Sequence, residues 1–284
     1  MLMNGIIIIN KEKDYTSRDV VNIVGKKLNT KKIGHTGTLD PLATGVLVLC
    51  VGKSLKLAEL LTANDKEYIA KIRLGIETDT LDITGKIVKT KDIINISKEK
   101  IIECLNHFKG KIKQEVPKYS AVKVNGKKLY EYARNNIEVQ LPIKEVEIYN
   151  IELISEIINN EFYIKCRVSK GTYIRSLIRD IGVYLNTYAT MTELTRTKQG
   201  IFSISDSYTI EDIKNNHYKI INPIDILDIP KINVDDNLAI KIKNGRVLPS
   251  FFKEDMMMIL DKNNNLLAIY KHLDEKTVKP YKMF

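Results

Sequence analysis

A single dozen-residue stretch, Gly34-His35-Thr36-Gly37-Thr38-Leu39-Asp40-Pro41-Leu42-Ala43-Thr44-Gly45, gathers three glycines, three threonines, one imidazole and one carboxylate. Glycine permits turn conformations and close approach of a ligand to the backbone, and Pro41 biases Asp40 toward an extended pose outside any helix. The pattern predicts a shaped loop that presents Asp40, a carboxylate able to act as a nucleophile or a base. Leu39-Asp40-Pro41 by itself would read as a turn aspartate bonding its own backbone. The next residues, Gly45 to Ser54, imitate a phosphate-cradling loop because a strand-like run ends in Gly52-Lys53-Ser54. The first glycine of such a loop is missing: Leu47 stands there, and its side chain would crowd the phosphate turn.

The elements that must position this loop can be traced from hydrophobic spacing. Thr16-Ser17 with Asp19 opens a helix whose Val20, Val21, Val24 and Leu28 share a face, and Ser97 opens another with Ile101, Ile102, Leu105 and Phe108. Tyr68 to Leu74, Val146 to Leu153 and Phe162 to Val168 alternate as strands. Gly171-Thr172 then turns the chain into a helix with Ile174, Leu177, Ile178, Ile181 and Leu185 on its apolar stripe. Helices and strands mix without strict alternation, which predicts an α+β fold on a mixed, largely antiparallel sheet flanked by helices. Helical patterns stop between Asn222-Pro223 and Ile229-Pro230. Ala239 to Ile242, Met256 to Leu260 and Leu266 to Tyr270 read as short strands, with Asn263-Asn264-Asn265 as a hairpin turn between the last two.

With 284 residues, 44% of them hydrophobic, one large and one small domain are expected, at 1–225 and 230–284. Cys50, Cys104 and Cys166 are odd in number, far apart and without a Cys-x-x-Cys pair, so they read as buried thiols of a reducing compartment. His35, His107, His217 and His272 are too scattered to suggest a metal cluster. The Ile6 to Ile9 run is too short for a secretory signal, and no segment approaches the roughly 20 apolar residues that span a bilayer, so a cytoplasmic, soluble protein is expected. The net charge of +10 is concentrated: residues 109–134 carry eight basic side chains against Glu115 and Glu131, interleaved with Tyr119, Tyr130 and Tyr132. Such a strip, if more than a solvated surface, suits phosphates and unpaired bases, with Lys127 and Lys128 expected to contact phosphate.

The Gly34 to Gly45 segment closely resembles the signature of the bacterial TruB-type tRNA pseudouridine synthases. The resemblance continues in order through Lys66-Glu67-Tyr68, Leu74-Gly75 with Thr78-Asp79-Thr80 and Asp82, Tyr119-Ser120-Ala121 with Lys123 and Gly126, Leu129 to Arg134, and Ser169-Lys170-Gly171-Thr172-Tyr173-Ile174-Arg175. It implies the pseudouridine synthase fold, an RNA-binding insertion at about 109–142 and a small C-terminal β-rich PUA-like domain. The implied reaction isomerises uridine at position 55 (tRNA numbering) in the T-arm loop. The C1′–N1 bond breaks, the base rotates and C1′ rejoins C5, so neither cofactor nor metal is required.

The resemblance also assigns roles. Asp40 would be the nucleophile or base at the ribose, Arg175 the cation that keeps it ionised, and Tyr68 the ring that stacks on the base and carries a proton. Tyr173 and Leu194 would line the pocket. His35 would stack near the space left by the extruded base. Two departures stand out: Lys11 to Ser17 lacks the Lys-Pro and following glycine that the family commonly has before Thr-Ser, and Leu194-Thr195-Arg196 replaces Leu-Arg-Arg. The guide-RNA branch of the family has Gly-His-Ser-Gly and lacks the Leu-Ala-Thr-Gly ending, which favours a monomer acting on tRNA without an obligate protein partner. A module that binds tRNA without chemistry would not need Asp40, Tyr68 and Arg175 together.

Overall fold

The computed structural model describes residues 4–62, 65–93 and 96–284. The chain begins with β1 (Gly5–Lys11), where Ile6 to Ile9 are all buried. Ile7 and Ile9 enter the main core, whereas Ile6 and Ile8 enter a second core on the opposite side. A continuous apolar run is what a strand covered on both faces requires. Helix α1 (Ser17–Lys27) starts at a capping box, in which the Thr16 hydroxyl accepts from Asp19 N–H and the Asp19 carboxylate accepts from Thr16 N–H. Strands β2 (Ile33–His35) and β3 (Thr44–Val51) enclose the glycine-rich loop, and a short α2 (Ala58–Thr62) leads to β4 (Lys66–Leu74).

A small hairpin, β5 (Ile76–Thr78) with β6 (Ile87–Thr90), precedes α3 (Lys98–His107), which Ser97 caps. Ile101, Cys104 and Leu105 of α3 are buried, but Ile102, expected on the same stripe, is 42% exposed because it lies at the stripe's edge. After β7 (Gly110–Glu115) comes a hairpin of β8 (Lys123–Val124) and β9 (Lys127–Lys128). Its turn residues Asn125 and Gly126 have φ of 50° and 81°, as a two-residue primed turn demands. Then follow α4 (Leu129–Arg134), β10 (Ile143–Leu153), β11 (Glu161–Val168), α5 (Ile174–Tyr184), β12 (Ala189–Gln199), β13 (Phe202–Ser203) and α6 (Ile210–Lys214).

Among the described residues the main sheet runs β1-β3-β12-β4-β11-β10-β7, with β2 on β3 and β13 on β12. Every pairing is antiparallel except β3 with β12, a short parallel seam at Thr44↔Thr195 and Gly45↔Arg196. The sheet is therefore mixed and largely antiparallel, as expected from sequence. Apolar residues of α1, α3 and α5 close one face of it, and the loop bearing Asp40 runs directly into the parallel seam.

A second sheet is built from β14 (Lys231–Asn233), β15 (Leu248–Pro249), β16 (Met256–Leu260), β17 (Leu266–His272) and β18 (Thr277–Met283), with α7 (Asp236–Lys243) after its first strand. Here the sequence reading needs correction: Ala239 to Ile242 lie in α7. Asp235 caps that helix by accepting from Leu238 N–H at 2.7 Å, and Ala239 and Ile242 are buried while Ile240 is 59% exposed. That is i, i+3 spacing, which four residues with Ile at alternate positions conceal. The turn at Asn263 to Asn265 does join β16 and β17, held by the Asp261 carboxylate. Met258 and Ile269 of this sheet pack with Ile6, Ile8, Val46 and Val48, covering the back of β1 and β3. All three cysteines are buried, and no helix among the described residues is long and apolar enough to cross a membrane.

Gly45 sits at the seam with φ +98°, and a Cβ there would lie 2.2 Å from the Arg196 carbonyl oxygen. Gly45→Ala should cost about 3 kcal/mol from left-handed strain plus forced separation of the strands. Chemical denaturation would measure this; an unchanged midpoint would show that the seam yields freely.

Candidate active site

Asp40 is fixed through both of its chain neighbours. The Leu39 N–H donates to Ser17 Oγ at 2.9 Å, and the Ser17 hydroxyl donates to the Leu39 carbonyl at 3.1 Å. On the other side, the Pro41 carbonyl accepts from Asp14 N–H at 2.9 Å and from Lys11 Nζ at 3.2 Å. Asp40 itself opens a turn closed by Ala43 N–H donating to its carbonyl at 3.0 Å, with Pro41 in the second position that proline favours.

The segment that departs from the family pattern supplies much of this scaffold. Lys11 is fully buried, and its ammonium also donates to the carbonyls of Tyr15 at 2.6 Å and Glu12 at 2.9 Å. Burial pushes the Lys11 pKa down to about 8, with the Asp40 carboxylate pulling the other way. Asp14 takes φ +70°, a conformation that aspartate tolerates better than most residues.

Arg175 meets Asp40 at 2.9 Å from Nε to Oδ2, with Arg175 only 6% exposed and the Asp40 side chain 36% exposed. Its other two nitrogens are committed to backbone, Nη1 to the Thr80 carbonyl and Nη2 to the Tyr119 carbonyl, each at 3.0 Å. Asp82, 3.9 Å away and almost buried, is a second carboxylate on the same guanidinium. Its Oδ1 accepts from Thr80 Oγ1 at 3.0 Å and Thr84 N–H at 3.0 Å, while Thr78 donates to its carbonyl at 2.6 Å. Each nitrogen of Arg175 thus has a partner, and its charge lies between the Asp40 and Asp82 carboxylates, with Asp40 the nearer. Burial raises the Tyr173 phenol pKa, against the opposing pull of Arg175, so this ring is neutral around pH 7.

Tyr68 and Leu194 belong to adjacent strands and point to the same face, since Tyr68 pairs with Arg196 and Leu194 with Ala70. Both are nearly buried and pack in one cluster with Leu39, Leu42 and Ile174, the apolar flanks of Asp40 and Arg175. Arg196 is fully buried and donates to the Val46 carbonyl at 2.7 Å and the Gly37 carbonyl at 3.1 Å, tying β12 to the signature loop. Thr195, standing where the resembled motif has arginine, shares a 2.8 Å hydrogen bond with Thr44 across the seam.

His35 ends β2, and burial followed by the charges of Arg18 and Arg196 lowers its pKa, favouring the neutral ring. Lys127 and Lys128 lie on β9, with Lys128 and Arg134 both against the Tyr130 ring. Sequence reasoning overlooked Lys11 and Asp82 as parts of this arrangement. Lys11 in a polar run reads as solvated, and Asp82 stood out only as part of a quoted motif.

Residues 25–174 match the family described as TruB family pseudouridylate synthase (N terminal domain), and residues 175–226 match the tRNA pseudouridylate synthase B C-terminal domain. The tRNA pseudouridine synthase B of Clostridium tetani (strain Massachusetts / E88) is 42% identical, covering 99% of this chain and 98% of that protein. That of Fusobacterium nucleatum subsp. nucleatum is 53% identical over 71% of this chain and 70% of its own length. Among solved structures, a Cbf5-Nop10-Gar1 complex shares 25% identity at a TM-score of 0.72, covering 99% of this chain and 84% of the matched chain.

The buried ammonium gives a pH test. In the unfolded chain Lys11 keeps its proton until about pH 10.5, whereas in the folded chain it loses it above about 8. Between those values the unfolded state binds more protons, so stability rises with pH. Wild type should therefore gain stability relative to Lys11→Met across that window in denaturant titrations. A constant difference would mean that the three carbonyls retain the proton.

Proposed function

This chain belongs to the TruB family of pseudouridylate synthases, and we propose that it converts uridine 55 in the T-arm loop of tRNA to pseudouridine, with Asp40 as the nucleophile. The observation that carries the reading is the 2.9 Å contact between a partly exposed Asp40 carboxylate and a buried Arg175 whose Nη1 and Nη2 each bond a backbone carbonyl. A carboxylate must stay ionised to attack C1′ or to act as a base on the ribose, and a fixed neighbouring cation favours that form.

The target nucleoside leaves the RNA stack, and its base lies against Tyr68 with Tyr173 and Leu194 as further walls. Cleavage of C1′–N1 frees the base to turn. As Asp40 bonds C1′ the C1′–N1 bond breaks, and when C5 of the turned base attacks C1′ the Asp40 carboxylate leaves. Tyr68 then relays the C5 proton to solvent while N1 takes one proton from solvent, so the product is an isomer of the substrate. The neutral His35 ring stacks on nucleotides beside the space left by extrusion, reducing a cost of a few kcal/mol. Lys127 and Lys128 neutralise phosphates from the basic, tyrosine-bearing insertion at about 109–142.

We assign residues 1–225 to the catalytic domain and 230–284 to a PUA-like RNA-binding domain, in a cytoplasmic monomer that needs no guide RNA or protein partner. Likeness to a Cbf5-Nop10-Gar1 complex supports the alternative of action with protein partners. The higher identity to bacterial tRNA pseudouridine synthase B proteins over nearly the whole chain, and His35-Thr36-Gly37 in place of His-Ser-Gly, favour action on tRNA directly.

Tritium release from T-arm RNA labelled at uridine C5 tests the chemistry. Wild type should release label, and Asp40→Asn should lose release by at least about 1,000-fold while still binding RNA, a loss of the size expected when a nucleophile is removed. Equal release would reject Asp40. For the insertion, replacing Lys127 and Lys128 with Ala should weaken RNA binding and reduce the slope of log affinity against log salt by about 2; an unchanged slope would take both lysines out of the interface.

A further inference from the structure

Strand β7 alternates as an edge strand should: Lys111, Lys113 and Glu115 face solvent, while Ile112 and Gln114 turn inward. Gln114 is nonetheless a primary amide at 1% exposure, in a row that otherwise favours apolar side chains. A buried amide needs partners, and both of its partners belong to one residue. Gln114 Nε2 donates to the Tyr173 carbonyl at 3.1 Å, and Tyr173 N–H donates to Gln114 Oε1 at 2.7 Å.

Tyr173 is the N-cap of α5, and its own side chain makes no capping hydrogen bond. Its carbonyl also accepts from Leu177 N–H at 3.0 Å, opening the helix. One residue along β7, the Glu115 carbonyl accepts from Ser176 Oγ at 2.8 Å. Two successive residues of β7 therefore hold residues 173 and 176, one on each side of Arg175.

We propose that Gln114 is a positioning residue for the reaction: its carboxamide grips the Tyr173 peptide and so sets the place from which the first turn of α5 presents Arg175 to Asp40. The inference rests on reading Asp40 and Arg175 as the reacting centre. It explains why an amide stands there. A carboxamide carries a donor and an acceptor on one planar head and so can bond both the N–H and the C=O of a single residue, which glutamic acid can do only when protonated.

That last property makes Gln114→Glu the discriminating variant. At low pH the carboxylic acid reproduces both hydrogen bonds, whereas the carboxylate retains the bond from Tyr173 N–H but sets a negative oxygen against the Tyr173 carbonyl. Burial raises the pKa of such a carboxyl, bringing its ionisation into the assay range. Single-turnover tritium release and RNA affinity would be measured for wild type, Gln114→Glu and Gln114→Leu at a temperature where circular dichroism shows all three folded.

The rate of Gln114→Glu relative to wild type should stay near one at about pH 5.5 and fall by about tenfold at about pH 8.5, the scale expected when a positioning contact is lost. RNA affinity should change by less than about twofold, because the residue is buried away from solvent. Gln114→Leu should be slow at every pH; should it not fold, the Glu variant decides alone. A relative rate for Gln114→Glu that is flat with pH, or that follows only the folded fraction, overturns the proposal. Wild type that releases no label defeats the reading of the reaction and this inference with it, whereas active wild type with a flat Glu variant defeats only the role of Gln114.

Discussion

The guanidinium of Arg175 is the junction on which the arrangement depends. Three segments far apart in sequence converge on it: Asp40 from the signature loop, Thr80 and Asp82 from the turn after β5, and Tyr119 from the segment after β7. Burying an arginine is costly unless its donors are satisfied, and here two backbone carbonyls and a carboxylate satisfy them. The same constraint makes the charge useful. A cation held by two backbone carbonyls lies between two carboxylates, of which Asp82 is almost buried and Asp40, the nearer, is partly open to solvent.

Asp40 is held by a different device. No partner grips its side chain from the loop; instead Leu39 and Pro41 are pinned by Ser17, Asp14 and Lys11 from the N-terminal segment. The loop behind it is pinned by Arg196 from β12. The carboxylate can therefore be aimed without being occupied. The short parallel seam between β3 and β12 has a mechanical role here, because it brings Arg196 alongside Gly45, and only a residue without Cβ allows the two backbones to approach so closely.

Much of this was legible in the sequence where local chemistry and periodicity agree. The Thr16-Ser17-x-Asp19 cap, the stripes of α1 and α5 and the alternation of β4 and β11 each rest on contacts within a few residues, so the residue types suffice. The Gly34 to Gly45 pattern likewise declared a loop, which the chain forms at 36–43, whereas Gly34 and His35 close β2 and Thr44 and Gly45 open β3. What escaped depends on burial by distant parts of the chain. Lys11 is a core ammonium only because the Tyr15 and Pro41 carbonyls fold over it. Ile6 to Ile9 were weighed only against an export signal, yet all four are buried because the second sheet covers the far side of β1. The misassigned strand at Ala239 to Ile242 has another cause: four residues fit both periods, and the Asp235 cap that decides between them lies outside the window.

The positive charges of the protein divide into two kinds with opposite physical requirements. Lys11, Arg175 and Arg196 are buried and bonded to carbonyls, so salt has little access to them. The lysines of residues 109–134 are largely exposed, and Lys128 and Arg134 place their charged ends over the Tyr130 ring, Lys128 also donating to the Tyr130 hydroxyl. A polyanion is bound through many weak, exchangeable contacts, whereas a single carboxylate is controlled by one strong, immobile contact. A net charge of +10 cannot distinguish the two, and only their burial separates the cations suited to bind from the cation suited to hold a reacting group in place.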